Sequence, residues 1–171
     1  VIRKRRHIFL GRWMKHGVYP VKLLRLFRYG AARCEQRHMD EHMELSRGRA
    51  VEFEHDFVDE NLNGLGWWAH KHVDYSAREL ADLEDILSSA AADSGINGQA
   101  ERKRAMKERY ARQPLFWRSF AYFCYRYFLK LGFLDGREGF LWHFMQGWWY
   151  RTLVDARQFE KQKKGSCKTA R

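Results

Sequence analysis

Between Leu24 and His42 the chain reads LRLFRYGAARCEQRHMDEH, and this stretch ends in an acidic pair, Asp40-Glu41, flanked by His38 and His42. Carboxylates and imidazoles delivered to the end of a strand suit general acid–base chemistry, because the sheet fixes the backbone while the loop presents the side chains. The alternative is a solvated turn with ordinary surface charges. Neighbours on an extended chain face opposite sides, so one carboxylate of the two is expected to point inward. His38 and His42 would share a metal on a helix, but the stretch reads as extended. His70 and His72, two apart on an expected helix, cannot face one ligand. Arg25 and Arg28 can grip phosphate through paired N–H groups, or they can simply form the polar face of a strand.

The elements that must position these groups follow from periodicity. Strands are expected near residues 3–10 and over Val21–Arg28, Ala32–Met39 and Arg49–Glu54. Gly11, the Gly17 to Pro20 loop and Ser46-Arg47-Gly48 punctuate them. The run Arg3 to Arg6 reads as a charged sheet edge that discourages further pairing. From Asp59 to Ala92 the apolar residues fall at steps of three and four, which predicts one amphipathic helix, with Ser76-x-x-Glu79 as an alternative second start. A polar, Gly-containing linker begins at Asp93. Beyond Pro114, the residues Arg118, Tyr122, Arg126 and Lys130 lie four apart in a polar stripe, surrounded by Phe116, Trp117, Phe120, Phe123, Tyr127 and Phe128. The charges in Leu115–Leu131 argue against a spanning helix, which needs about 20 mostly apolar residues. An aromatic helix with a polar stripe and basic flanks instead suits the plane of a membrane interface. After a turn at Leu134-Asp135-Gly136, a second apolar surface runs from Phe140 to Val154. Trp117, Phe120, Arg126, Lys130, Trp148 and Trp149 are the expected membrane-interface residues. The alternative is an aromatic core packed on the sheet. The basic end, 161–171, is expected to be disordered.

Several short runs, taken in order, resemble a known family. They are Gly11-Arg12-Trp13-Met14-Lys15-His16-Gly17, Tyr19-Pro20, Leu24-Arg25-Leu26-Phe27-Arg28, Asp40-Glu41-His42, Glu54-His55-Asp56-Phe57, Lys71-His72 with Tyr75, and Gly132 to Phe140. Together they resemble the second half of bacterial family 2 glycosyltransferases of the GT-A type, in particular those that build exopolysaccharide, capsule or lipopolysaccharide sugars. The resemblance implies an α/β enzyme, α+β for this half alone. Residues 1–92 would be the acceptor-side part of a Rossmann-like sheet followed by a long helix, 93–112 a linker, 113–160 an amphipathic helical hairpin and 161–171 a basic tail. It implies that Glu41, with Asp40 as second choice, is the base of an inverting sugar transfer. Arg25, Arg28, His42 and His55 would lie beside the diphosphate of a nucleotide-sugar donor. It also implies a divalent metal, Mg or Mn, with His55 as a secondary ligand, because the sequence contains no Asp-x-Asp. The acceptor would be a glycan or a lipid-linked glycan. The chain opens on Val1 inside an expected strand, which suggests a fragment, inactive on its own.

At 171 residues the chain is long enough to bury one real core. Its net charge of +11 is unevenly placed: residues 1–100 are balanced, whereas 101–171 carry 17 Lys and Arg against 6 Asp and Glu. A basic, aromatic-rich half implies an anionic partner. An anionic membrane surface is expected and nucleic acid is not. Three cysteines without metal spacing fit a reducing, cytoplasmic setting, and the resemblance implies the inner face of a bacterial membrane. From a different class, the alternative is a non-catalytic basic module that binds membrane or RNA through 101–171.

Overall fold

The computed structural model describes residues 1–35, 39, 43–89 and 99–169. It is an α+β structure, 55% helical and 17% strand. The strand β1, Ile2–Phe9, is the spine of the sheet. Leu10 and Gly11 both have positive φ and turn the chain tightly into β2, Arg12–Trp13, which pairs Ile8 with Trp13 and Phe9 with Arg12. The strand β3, Val21–Leu24, continues along the same edge of β1, antiparallel, with Arg5 opposite Val21 and Ile2 opposite Leu24. Two more strands, β4 (Ala32–Cys34) and β5 (Met43–Leu45), form a separate small hairpin. On the other edge of β1, β6 (Phe57–Glu60) runs parallel, with Arg5 opposite Phe57 and Ile8 opposite Glu60.

β1 is therefore a central strand and not the charged edge that its arginines suggest. Its cations are answered in place: Arg5 lies 3.4 Å from Asp59, Arg6 2.8 Å from Asp56, and Arg3 donates to the carbonyls of His55 and Asp56. Strand alternation puts His7 and Phe9 on one face and Arg6 and Ile8 on the other. The His7 and Phe9 rings pack on Trp142, and Phe9 with Met14, Trp68 and Trp142 forms the first core. The strand expected over Arg49–Glu54 reduces to a bridge between Ile2 and Glu52, and β3 and β4 are shorter than expected.

The expected long helix is a single element, α1 (Leu65–Ser89), with no break at Ser76, whose hydroxyl donates to the Val73 carbonyl. The larger part of the expected linker, 99–111, is also helical. The helix α2, Gln99–Ala111, docks on α1 by placing Lys107 Nζ 2.6 Å from Asp82 and 3.2 Å from Glu79, both buried. α3 (Trp117–Cys124) widens into a π-helical turn over Tyr125–Leu129. After a 3-10 turn at Gly132–Asp135, α4 (Gly136–Trp142) passes through a second π-helical segment, His143–Trp149, into α5 (Tyr150–Thr169). The basic end, expected to be disordered, is thus helical as far as Thr169. Tyr150 meets Tyr75 and Lys161 meets Glu84, so α5 runs alongside α1 in the same direction. Leu83, Ala111, Tyr150 and Val154 form the second core between α1, α2 and α5.

Candidate functional site

Asp40, Glu41 and His42, and also His38, fall between β4 and β5 in the sequence and lie outside the described residues. What is described is the sheet face toward which the same resemblance points. Arg6, Glu54, His55, Asp56 and Val58 line an open cleft of about 390 Å³. Asp56 is its organiser. Its Oδ2 accepts from Arg6 Nε at 2.8 Å and from the Tyr19 hydroxyl at 3.1 Å. The Arg6 hydrogen bond holds the Asp56 carboxyl below the usual carboxylate range, while desolvation, reinforced by Asp56, pushes the Tyr19 phenol up. Arg6 and Lys15 both lie within 5 Å of the Trp13 ring centre, at 4.6 and 4.9 Å, and Trp13 meets Tyr19 edge-on. The result is a polar recess with one cation, Arg6, already paired with Asp56, and two carboxylates, Glu54 and Asp56, a lining that suits a hydroxyl-bearing ligand.

His55 is exposed at this cleft, so the structure brings it to the rim. Arg25 stacks over the Phe57 ring at 5.5 Å, next to the cleft residues in sequence, and Arg28 is exposed with its carbonyl accepting from the Ala31 amide. Among the described residues no three His, Cys, Asp or Glu side chains converge to hold a metal ion.

Two of the resembling runs meet at a second, buried cluster. Asp135 takes the His16 backbone N–H at 2.9 Å on one oxygen and the His16 Nδ1–H at 2.7 Å on the other. His143 is fully buried, and its Nε2–H donates to the His16 carbonyl at 3.2 Å. Burial, aided by the nearby Arg126 cation, pushes His143 down to about 4, so its ring is neutral. Arg126 Nε donates to the Gly17 carbonyl at 3.2 Å. A Cβ on Gly17 would come within 2.8 Å of the His143 ring and one on Gly132 within 2.3 Å, so only glycine lets these loops close. None of His16, Asp135 and His143 stands out by residue type; the one signal in the sequence is that His16 and Asp135 each sit inside a resembling run.

The third feature is the helix Trp117–Leu129, whose polar stripe points inward. Arg118 is 2% exposed and Arg126 8%. The Arg118 guanidinium lies 2.7 Å from Asp155 and also donates to the Ala111 carbonyl and the Gln158 side chain. The outward residues are Trp117, Ala121, Tyr125, Phe128 and Leu129, with Trp117 at 64% and Leu129 at 76% exposed. Of the expected interface residues, Trp117 and Lys130 face outward, Phe120 and Trp148 are half-buried against each other at 5.0 Å, and two face inward. Arg126 is tied to Gly17, and Trp149 packs on Trp68 between the two cores. The aromatic stretch is therefore divided: the face of α4 and the π-helical segment after it that carries Trp142 and Trp149 is core, and the outer face of α3 is surface. Among the described residues no helix is long and apolar enough to cross a membrane. No family model, curated protein or solved structure matches the chain.

Proposed function

We propose that this chain is the acceptor-side half of an inverting family 2 glycosyltransferase of the GT-A type, docked on the cytoplasmic face of a bacterial membrane. It would act in cell-surface polysaccharide synthesis, with a nucleotide-sugar as donor and a glycan or lipid-linked glycan as acceptor. The observation that carries the reading is the clamp between His16 and Asp135. Two short runs quoted for the resemblance, 119 residues apart, meet in one buried cluster with matched glycines, as parts of one inherited unit would.

In this reading one carboxylate of Glu41 or Asp40 takes the proton from the acceptor hydroxyl. The hydroxyl oxygen then bonds to the anomeric carbon as the bond to the nucleotide diphosphate breaks, with inversion. Arg25 and Arg28, with His42 and His55, counter the charge growing on the leaving diphosphate. A divalent metal, Mg or Mn, would assist that departure; its main acidic ligands would come from the donor-binding half, with at most His55 from this chain. By itself the chain would not turn over a nucleotide-sugar.

The test joins the donor-binding half to this chain and follows donor turnover in Glu41→Gln and Asp40→Asn. One of the two is expected to lose at least about 100-fold in rate, the lower end for general-base catalysis. If both retain full activity, the base assignment is wrong.

A further inference from the structure

We infer that the outward face of the helix Trp117–Leu129, together with the turn that follows it, is an in-plane anchor for an anionic lipid bilayer. The inference rests on the reading above for a membrane being present, but not on its sugar chemistry.

A helix on the surface of a water-soluble domain buries its apolar side and exposes its charges. Here the order is inverted. The two arginines of the helix are spent inside, on Asp155, Ala111 and Gln158 and on the Gly17 carbonyl, and the Ser119 hydroxyl donates to the Phe116 carbonyl. From Trp117 to Leu129 no charged side chain faces outward. The face is about 20 Å long at 1.5 Å per residue.

The backbone at both ends of the helix strengthens the case. Phe116 and Leu131 both have positive φ, 65° and 60°, which bulky side chains seldom adopt because Cβ crowds the backbone. Both keep nearly half of their surface exposed, 42% and 46%. The Phe116 amide is held by Asp155 at 2.8 Å, which fixes this strained turn from inside. Past Leu131 the surface continues through Phe133, Leu134 and Phe140, all exposed, with the Phe133 and Phe140 rings 6.2 and 5.8 Å from Tyr127. Contiguous exposed apolar surface of this kind marks an interaction site.

Charge decides the occupant. Exposed Lys130 and Arg137 flank one end of the face. At the other end the Phe116 ring meets Phe159 at 6.1 Å, and Lys163 lies 5.1 Å over Phe159. A second copy would bring the same basic rim and the same +11, so like charges would meet across the contact. Anionic headgroups match the rim, and the aromatic face matches the acyl boundary beneath them. The helix lies flat in this arrangement, because it is too short to span.

The test is flotation of the whole chain with vesicles of phosphatidylethanolamine and phosphatidylglycerol, and with phosphatidylcholine vesicles alone. Binding is expected to the anionic vesicles only. Leu129→Glu and Phe128→Glu, both at exposed positions, should each weaken it by roughly 10- to 100-fold. Leu62→Glu, at a position more exposed still but off this face, should leave binding unchanged. Thermal melts establish that each variant is folded. Independently, brominated lipid should quench tryptophan emission, and Trp117→Phe should remove most of the quenched part. Three results overturn the inference: no vesicle binding by the unaltered chain, unchanged binding by both Glu variants, or a dimer that Leu129→Glu dissociates. A chain that binds vesicles through this face yet shows no transfer with its donor half attached would sink the glycosyltransferase reading and leave the anchor standing.

Discussion

Asp155 is the group whose removal should be felt most, because three separate features converge on its carboxylate. It is fully buried, pairs with an Arg118 guanidinium that is equally buried, and accepts the backbone N–H of Phe116, whose φ is positive. Asp155→Asn keeps the size and removes the charge, leaving the Arg118 cation in a dry interior without a counter-ion. Breaking one partner of such a pair costs about 3 to 5 kcal/mol. A domain of this size has about 5 to 15 kcal/mol in total. With a urea dependence near 2 kcal/mol per molar, the unfolding midpoint should fall by about 2 M. Removing both charges, in Asp155→Leu with Arg118→Met, should recover part of the loss, because two desolvation penalties vanish along with the attraction. The bonds to Ala111, Gln158 and Phe116 would still be missing, at about 1 kcal/mol each. Urea titrations of the unaltered chain, Asp155→Leu, Arg118→Met and the double variant, followed by circular dichroism, give the coupling directly. A loss below about 1 kcal/mol in Asp155→Asn, or a double variant less stable than the single, would show that the inverted helix is not held by this pair.

The glycines supply a sharper contrast. Gly132→Ala would drive a Cβ to 2.3 Å from the His143 ring and 2.9 Å from the Arg126 carbonyl, and should cost about 1 to 3 kcal/mol, whereas Gly66→Ala, in a helix with nothing within 4 Å, should gain about 0.5 to 1 kcal/mol; thermal melts compare the two. The buried, neutral His143 makes stability depend on pH. Its folded value of about 4 lies below the unfolded value near 6.5, so the unfolded chain takes the proton first. The contribution is complete above about pH 6.5 and is lost as pH falls toward 4, by on the order of 2 kcal/mol at about pH 5 and on the order of 3 kcal/mol in full. His7 and His72, also lowered by burial, act in the same direction. Urea midpoints at about pH 7 and about pH 5 check this, and equal midpoints would contradict it.

Spacing made several elements readable. The four-residue stripe of Arg118, Tyr122 and Arg126, and the three-and-four pattern of α1, both emerged as helices. What spacing cannot tell is which side of a stripe faces in. For Arg118 that is decided by Asp155, 37 residues away on α5, so a local pattern suggesting a polar outer face becomes an inner one. The same limit explains β1, whose arginines look like an edge until Asp56 and Asp59 arrive from the β6 side to pair with them. α2 is hard to read because its apolar residues are few and show no amphipathic period; it docks through Lys107 and Ala111, one of them charged, so the docking face carries no apolar stripe. The acidic pair and its histidines fall outside the described residues, while the cleft built on Asp56 was named only as part of a resembling run.

The two π-helical turns carry a consequence for how this fold can vary. A π turn amounts to one extra residue in an α-helix, and each residue advances the helix by about 100°. Deleting one residue within His143–Trp149 would turn the wide turn into a plain one and leave Val154 in the core and Asp155 opposite Arg118. The same deletion at the start of α5, with no wide turn to absorb it, would swing everything beyond it by about 100° and pull both off their partners. Changes of length should therefore be tolerated inside this segment far better than in the regular helix that follows it.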